Sequence, residues 1–149
     1  MPPFRFRPPA GRWRGLLVLA AGLFCVAGCG DGRKPVYTVR GKVFAADKKP
    51  ATGATVTFNP TNPDPKDPHK PVGKVDEQGN YTLTTYTEGD GAPAGEYVIT
   101  VIWQTPKKSP FEGEGGDKLG GKLARPEQSP HKFTVEKKPD QEVPAITLP

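Results

Sequence analysis

The sequence predicts an all-β domain of about seven strands in two antiparallel sheets packed face to face, and three observations carry that reading. Segments after residue 35 alternate apolar and polar side chains with period two, so one face of each is set to meet a core. The 149 residues include 19 prolines and 18 glycines, most of them between the apolar segments, where the turns of a short-stranded protein fall. After Cys29 no stretch keeps apolar residues at helical spacing across three turns without a proline or a glycine.

Each strand has its own justification. In residues 36–44, Tyr37, Val39, Gly41 and Val43 share one face while Thr38, Arg40 and Lys42 share the other. Residues 54–58 repeat the pattern, with Ala54, Val56 and Phe58 against Thr55 and Thr57. Residues 72–75 and 80–86 flank Asp76-Glu77-Gln78-Gly79, where the aspartate bonds the turn backbone and the glycine accepts a positive φ, so the pair reads as a hairpin. Residues 95–104 are the longest apolar run. In it Tyr97, Ile99, Val101 and Trp103 are in phase, while Val98 and Ile102 make the opposite face partly apolar, as a central strand requires. Residues 132–136 and 143–148 complete the set, and Pro144 assigns the last strand to a sheet edge, where a missing N–H is tolerated.

Two loops differ from ordinary turns. Residues 60–71 contain Pro60, Pro63, Pro65, Pro68 and Pro71 with Asp64, Asp67 and His69, a density that favours a stiff, extended surface loop. Residues 105–130 are long and glycine-rich, the kind of insert that is either functional or disordered, and loose packing is expected ahead of a binding role.

The runs Tyr37-Thr38-Val39-Arg40-Gly41-Lys42-Val43, Gly53-Ala54-Thr55-Val56-Thr57-Phe58, Val75-Asp76-Glu77-Gln78-Gly79-Asn80-Tyr81 and Gly89-Asp90-Gly91-Ala92-Pro93-Ala94-Gly95-Glu96-Tyr97 together resemble the carboxypeptidase-regulatory-like, transthyretin-like domain of bacterial lipoproteins. The resemblance covers nearly all of residues 36–149. It implies a seven-stranded Greek-key sandwich of the prealbumin-like class, from which the insert at 105–130 departs.

The amino terminus reads differently. Arg5, Arg7, Arg12 and Arg14 precede an uncharged run at 16–28 and no acidic residue accompanies them, which is the order of a secretory signal. That run falls short of the roughly 20 apolar residues that span a bilayer comfortably. Its end, Leu23-Phe24-Cys25-Val26-Ala27-Gly28-Cys29, resembles the bacterial lipobox. The resemblance implies diacylglyceryl transfer to the Cys29 thiol, cleavage between Gly28 and Cys29, and acylation of the new amino terminus. Two or more acyl chains anchor a protein stably where one holds it marginally. Cys25 is the rival acceptor, although the bulky Leu23 and Phe24 before it suit a small-residue cleavage site poorly; an ordinary cleaved signal and an uncleaved anchor are the plainer alternatives. The expected organisation is a helical signal peptide at 1–28, a short tether at 29–35 and the sandwich at 36–149. Gly30, rather than an aspartate, follows Cys29, with Asp31 one place later, and this points to the outer membrane with the domain facing the periplasm or the surface.

The formal charge of +5 changes meaning once the signal is removed, because 17 basic residues then stand against 16 acidic ones. Lys48-Lys49, Lys107-Lys108 and Lys137-Lys138 read as solvated pairs, so no nucleic-acid partner is expected. Both cysteines lie in the signal or at its junction, which leaves the folded part without disulfide or thiolate chemistry. Its stability then rests on the core alone.

Residues suited to catalysis are few. Ser109 and Ser129 each precede a proline and sit in no nucleophile elbow. His69 and His131 lack metal-ligand spacing. Asp76, Glu88 and Asp90 lack the twelve-residue calcium-loop pattern and read as turn stabilisers. Trp103 is in phase with the core and reads as a packed aromatic rather than a sugar-stacking platform. No catalytic residue, cofactor or metal site is expected, and Cys29 is the single modification site. The function expected is that of a membrane-anchored, non-catalytic envelope lipoprotein, a structural or interaction module whose partners are membrane lipid through acylated Cys29 and an envelope protein or polysaccharide. The alternative is a carbohydrate or cell-wall binding module using Trp103 and Tyr86. An enzyme stands third and requires two of Asp76, Glu88, Asp90, His69 and His131 to converge in one cleft.

Overall fold

The computed structural model describes residues 32–105 and 115–149. The expected signal at 1–28 with its helix, Cys25, the expected lipid acceptor Cys29, and the centre of the insert with Lys107, Lys108 and Ser109 lie outside the described residues. Where the sequence alternates, the chain is extended: β1 at Val36–Tyr37, β2 at Val39–Phe44, β3 at Thr55–Pro60, β4 at Val72–Lys74, β5 at Asn80–Thr82, β6 at Ala92–Pro93, β7 at Gly95–Ile102, β8 at Lys132–Val135, β9 at Gln141–Glu142 and β10 at Ile146–Thr147. A 3-10 turn at Pro126–Gln128 is the single helical element among the described residues. The fold is all-β.

One sheet has the order β4-β3-β7-β8 and is antiparallel throughout. In a second, β2 pairs antiparallel with β5 on one side and parallel with β9 and β10 on the opposite side, while β1 and β6 form a small two-stranded sheet of their own. Between the two larger sheets lie Val39 and Val43 of β2, Val56 and Phe58 of β3, and Ile99 and Val101 of β7, with Val135, Ile146 and Leu148, all buried. The predicted phase of residues 95–104 holds through Val101, and β7 sits inside its sheet as a central strand. Trp103 lies just past its end, half-buried against the rim of the core. On the other face of β7, Thr100 is buried because Asn59 Nδ2 donates to its hydroxyl (3.0 Å), while Lys70 Nζ covers Asn59 by donating to its Oδ1 (3.0 Å).

The turn at 76–79 follows the predicted chemistry, but the strands it joins do not form the expected hairpin ladder: β4 pairs with β3 in one sheet and β5 with β2 in the other, and the two meet only at the bridge between Val72 and Thr84. The Asp76 carboxylate accepts the N–H groups of Gln78 (2.9 Å) and Asn80 (2.8 Å), and Gly79 takes φ 87°, which few side-chain-bearing residues tolerate. Just beyond it the Tyr81 ring crosses the core beneath Gly41, so closely that a Cβ at residue 41 would lie 2.5 Å from the Tyr81 hydroxyl oxygen.

Three further expectations change. The strand read at 36–44 breaks at Thr38, since Val36–Tyr37 pairs with Ala92–Pro93 and the chain then shifts to β5. The strand read at 80–86 leaves its ladder after Thr82, where the turn at 84–90 takes over. The strand read at 143–148 runs parallel to β2, although antiparallel pairing was expected, and is interrupted around Pro144, whose ring supplies no N–H. The geometry follows from direction. β8 runs towards the end at which β2 begins, the chain turns at 136–140, and the return path therefore travels the way β2 does. Gln141 fixes that turn: its Oε1 accepts Glu136 N–H (2.8 Å) and its Nε2 donates to the carbonyls of Glu136 (2.9 Å) and Lys138 (3.0 Å).

The described part of the insert is packed, against the expectation of a loose loop. β8 pairs with only residues 95–98 of β7, which would leave the rest of that edge with unmet N–H groups. The following chain meets them: Ile99 N–H reaches the His131 carbonyl (2.9 Å), Val101 N–H the Leu123 carbonyl (2.9 Å), and Trp103 N–H the Asp117 carboxylate (3.0 Å). Leu119 and Leu123 are thereby turned into the core, at 7% and 6% exposure.

The strands define two ends. The start of β2, the end of β3 and the start of β7 share a proximal end, where the chain enters at 32–35. The hairpin turns at 45–50 and 76–79 and the packed insert share the distal end.

Candidate functional site

Three segments meet at the proximal end: the chain at 32–35, the proline-rich loop at 61–71, and the turn at 83–91. Asp90 builds the last of these. Its carboxylate accepts the N–H groups of Thr85 (2.7 Å), Tyr86 (2.9 Å) and Thr87 (2.9 Å), three donors that the departure from the β5 ladder would otherwise leave unmet. Partial burial opposes ionisation of Asp90, yet these three bonds outweigh it and hold the carboxyl below its ordinary value. The turn presents Tyr86 to the proline-rich loop.

There the Tyr86 hydroxyl donates to one oxygen of Asp67, and Nδ1 of His69 lies 2.8 Å from the other. The Asp67 side chain is 6% exposed, whereas that of His69 is 55% exposed with its ring edge-on to Tyr86 at 5.2 Å. The Tyr86 hydrogen bond, followed by that from His69, lowers the Asp67 pKa despite its burial. The Tyr86 phenol is raised, first by burial and then by its bond to Asp67. The chain at 32–35 joins the same cluster. Lys34 N–H donates to the Tyr86 hydroxyl (3.1 Å), Lys34 Nζ pairs with Asp64 (2.9 Å), and the Arg33 guanidinium stands 5.5 Å from the centre of the Tyr86 ring. Asp64 is lowered in turn, by Lys34 first and by the N–H of Lys66 second.

Beside this cluster a cleft of about 340 Å³ is walled by Lys34, Asp64, Asp67, His69, Glu96 and Tyr97. Tyr97 closes its floor by donating to the Pro93 carbonyl (2.8 Å), and burial raises its phenol to about 12. Asp67 holds one His69 nitrogen, and Tyr86 occupies the remaining carboxylate oxygen. Such an arrangement orients an imidazole and stiffens the loop. Among the described residues no group of three or more His, Cys, Asp or Glu side chains is placed to hold a metal ion.

The chain matches no family model, no curated protein and no solved structure.

The residues singled out in the sequence do not assemble as a set. Asp76 lies in the distal hairpin, Glu88 is exposed on the tip of the 84–90 turn, and Asp90 is consumed by that turn. His69 and His131 line different clefts. Ser129 is buried and its hydroxyl donates to the Ile99 carbonyl, which makes it a strand-end clasp. What the sequence reading missed is the union of Lys34, Asp64, Asp67, His69 and Tyr86. The spacing Asp67-Pro68-His69 placed two of them in one loop; the arrival of Lys34 and Tyr86 depends on tertiary structure.

Proposed function

We propose that the chain is a bacterial lipoprotein anchored through Cys29, whose transthyretin-like Greek-key sandwich serves the envelope as a non-catalytic structural or interaction module. The observation that carries this reading is the mutual commitment of the acidic groups at the proximal end. Asp64 is taken by Lys34, Asp67 by Tyr86 and His69, and Asp90 by three backbone N–H groups, so the carboxylates are engaged in holding loops and tether together. A general acid or base needs a carboxyl with a proton to exchange and a pKa brought towards working pH. These three are lowered instead.

The carbohydrate reading draws less support. Its aromatic platforms are occupied: Lys118 Nζ stands 4.0 Å from the centre of the Trp103 ring, the indole N–H donates to the Thr52 carbonyl (3.0 Å), and Arg33 stands over Tyr86. Sugar stacking requires an open ring face.

Metabolic labelling with a palmitate analogue tests the anchor. Label should enter the parent chain and be absent from Cys29→Ser, with the parent fractionating with the outer membrane; label that persists in Cys29→Ser would refute the assignment. Crosslinking in intact cells followed by mass spectrometry should then recover an envelope partner through the exposed loops.

A further inference from the structure

The tether does not join the domain at a neutral point. Lys34 is fixed by its backbone bond to Tyr86 and its ion pair with Asp64, and two residues earlier the chain already passes close to the loop, since a Cβ on Gly32 would lie 3.7 Å from the Lys66 carbonyl oxygen. Three Cα-to-Cα steps lead from Cys29 to Gly32, a maximum reach of about 11 Å. From the proximal to the distal end, by contrast, the eight residues of β7 extend about 26 Å. The anchor point is therefore held within reach of one end and far from the other.

Resting on the lipoprotein reading above, we infer that the proximal end, formed by the proline-rich loop at 61–71 with Lys66, is a membrane-facing surface that lies against the lipid headgroups and holds the hairpin turns and the packed insert away from the bilayer. The surface suits the role. Pro63, Pro65 and Pro68 are exposed and give a loop of limited conformational freedom, so contact costs little ordering entropy. Lys66 is exposed on this loop, and the absence of a large exposed apolar side chain in 61–71 fits seating at headgroup level rather than insertion. The clamp between tether and loop then sets orientation, which a free seven-residue linker would leave random.

The test uses the lipidated full chain in vesicles that carry a headgroup-chelated nickel lipid, with single spin labels at Asn62→Cys on the proximal loop or Gln78→Cys on the distal hairpin, both exposed positions. Nickel relaxation acts over short distances, so across the roughly 26 Å length of the sandwich the Asn62 label should relax about tenfold more than the Gln78 label. Equal relaxation, or the reverse order, in protein that floats with the vesicles would overturn the orientation while leaving the anchor standing. Failure of the parent chain to float would overturn the anchor and the orientation together. A second variant, Lys34→Ala with Tyr86→Phe, releases the clamp; the contrast between labels should fall by at least about half in protein whose circular dichroism is unchanged, as a freed linker samples many orientations. Undiminished contrast in that variant would overturn the clamp as its cause.

Discussion

Replacing Tyr81 by phenylalanine should stabilise this protein, the opposite of the usual result for a buried tyrosine. Tyr81 is 3% exposed, and its hydroxyl has no hydrogen-bond partner among the described residues. An unpaired buried hydroxyl costs about 1–3 kcal/mol in lost hydration. Phenylalanine keeps the ring contacts with Gly41 and Gly73 and removes only the oxygen, leaving a gap smaller than the methyl-sized void that costs about 1 kcal/mol. The net gain is then roughly 1 kcal/mol, or about 4 °C in midpoint for a domain of this size. Scanning calorimetry of the full chain and Tyr81→Phe at neutral pH reads it directly. Alkaline pH supplies a second arm. Burial pushes the Tyr81 phenol well above its ordinary value of 10.0, so its contribution is complete below about pH 10 and is lost as pH rises towards the folded value, because only the unfolded chain can ionise. Tyr97, raised to about 12, weakens both proteins in the same way, so the advantage of Tyr81→Phe should widen above about pH 10. A loss of about 1 kcal/mol or more at neutral pH would show that the hydroxyl has a partner and refute the reasoning.

Leu119→Ala or Leu123→Ala should each lower stability by about 2–4 kcal/mol in urea unfolding, while Lys122→Ala, exposed between them, should stay within about 0.5 kcal/mol; losses equally small at all three would return the insert to a loose loop. Asp67→Asn should be less stable than the parent at about pH 7, with the gap narrowing as pH falls below 3.8, because a carboxyl whose folded pKa is depressed, by Tyr86 first and His69 second, contributes fully above its unfolded value and loses that contribution as pH falls through the folded one. A gap that keeps the same size as pH falls would mean that the ionised carboxylate is not what holds the loop.

The phases of the strands were legible because period two is written locally: Val39 and Val43, Val56 and Phe58, and Ile99 and Val101 each sit two residues from the next buried neighbour or a multiple of two. The Asp76 turn was legible for the same reason, its donors lying within four residues of the carboxylate. The insert was not. Leu119 and Leu123 are buried because β8 leaves part of the β7 edge bare, a shortage visible only once register is known. The proximal cluster was half legible, since Asp67 and His69 are two residues apart, whereas Tyr86 is 19 residues from Asp67 and 52 from Lys34 and reaches both through the turn that Asp90 builds. Direction was the remaining gap, for alternation states which face of a strand is buried and says nothing of whether its neighbour runs parallel.

That parallel pairing has a kinetic meaning. β9 and β10 line the edge of β2, and the pair Arg40 and Asp140 is joined across 100 residues of sequence. Ribosomes and translocation channels release a chain from its amino terminus, so β2 emerges long before the strand that covers it. Until then its edge stands open and Val39 and Val43 lack Val143, Ile146 and Leu148, the residues that complete their burial. A topology weighted towards such remote contacts folds slowly. The edge of β2 and the burial of its valines are therefore completed only when residues 141–148 are free to pair along it.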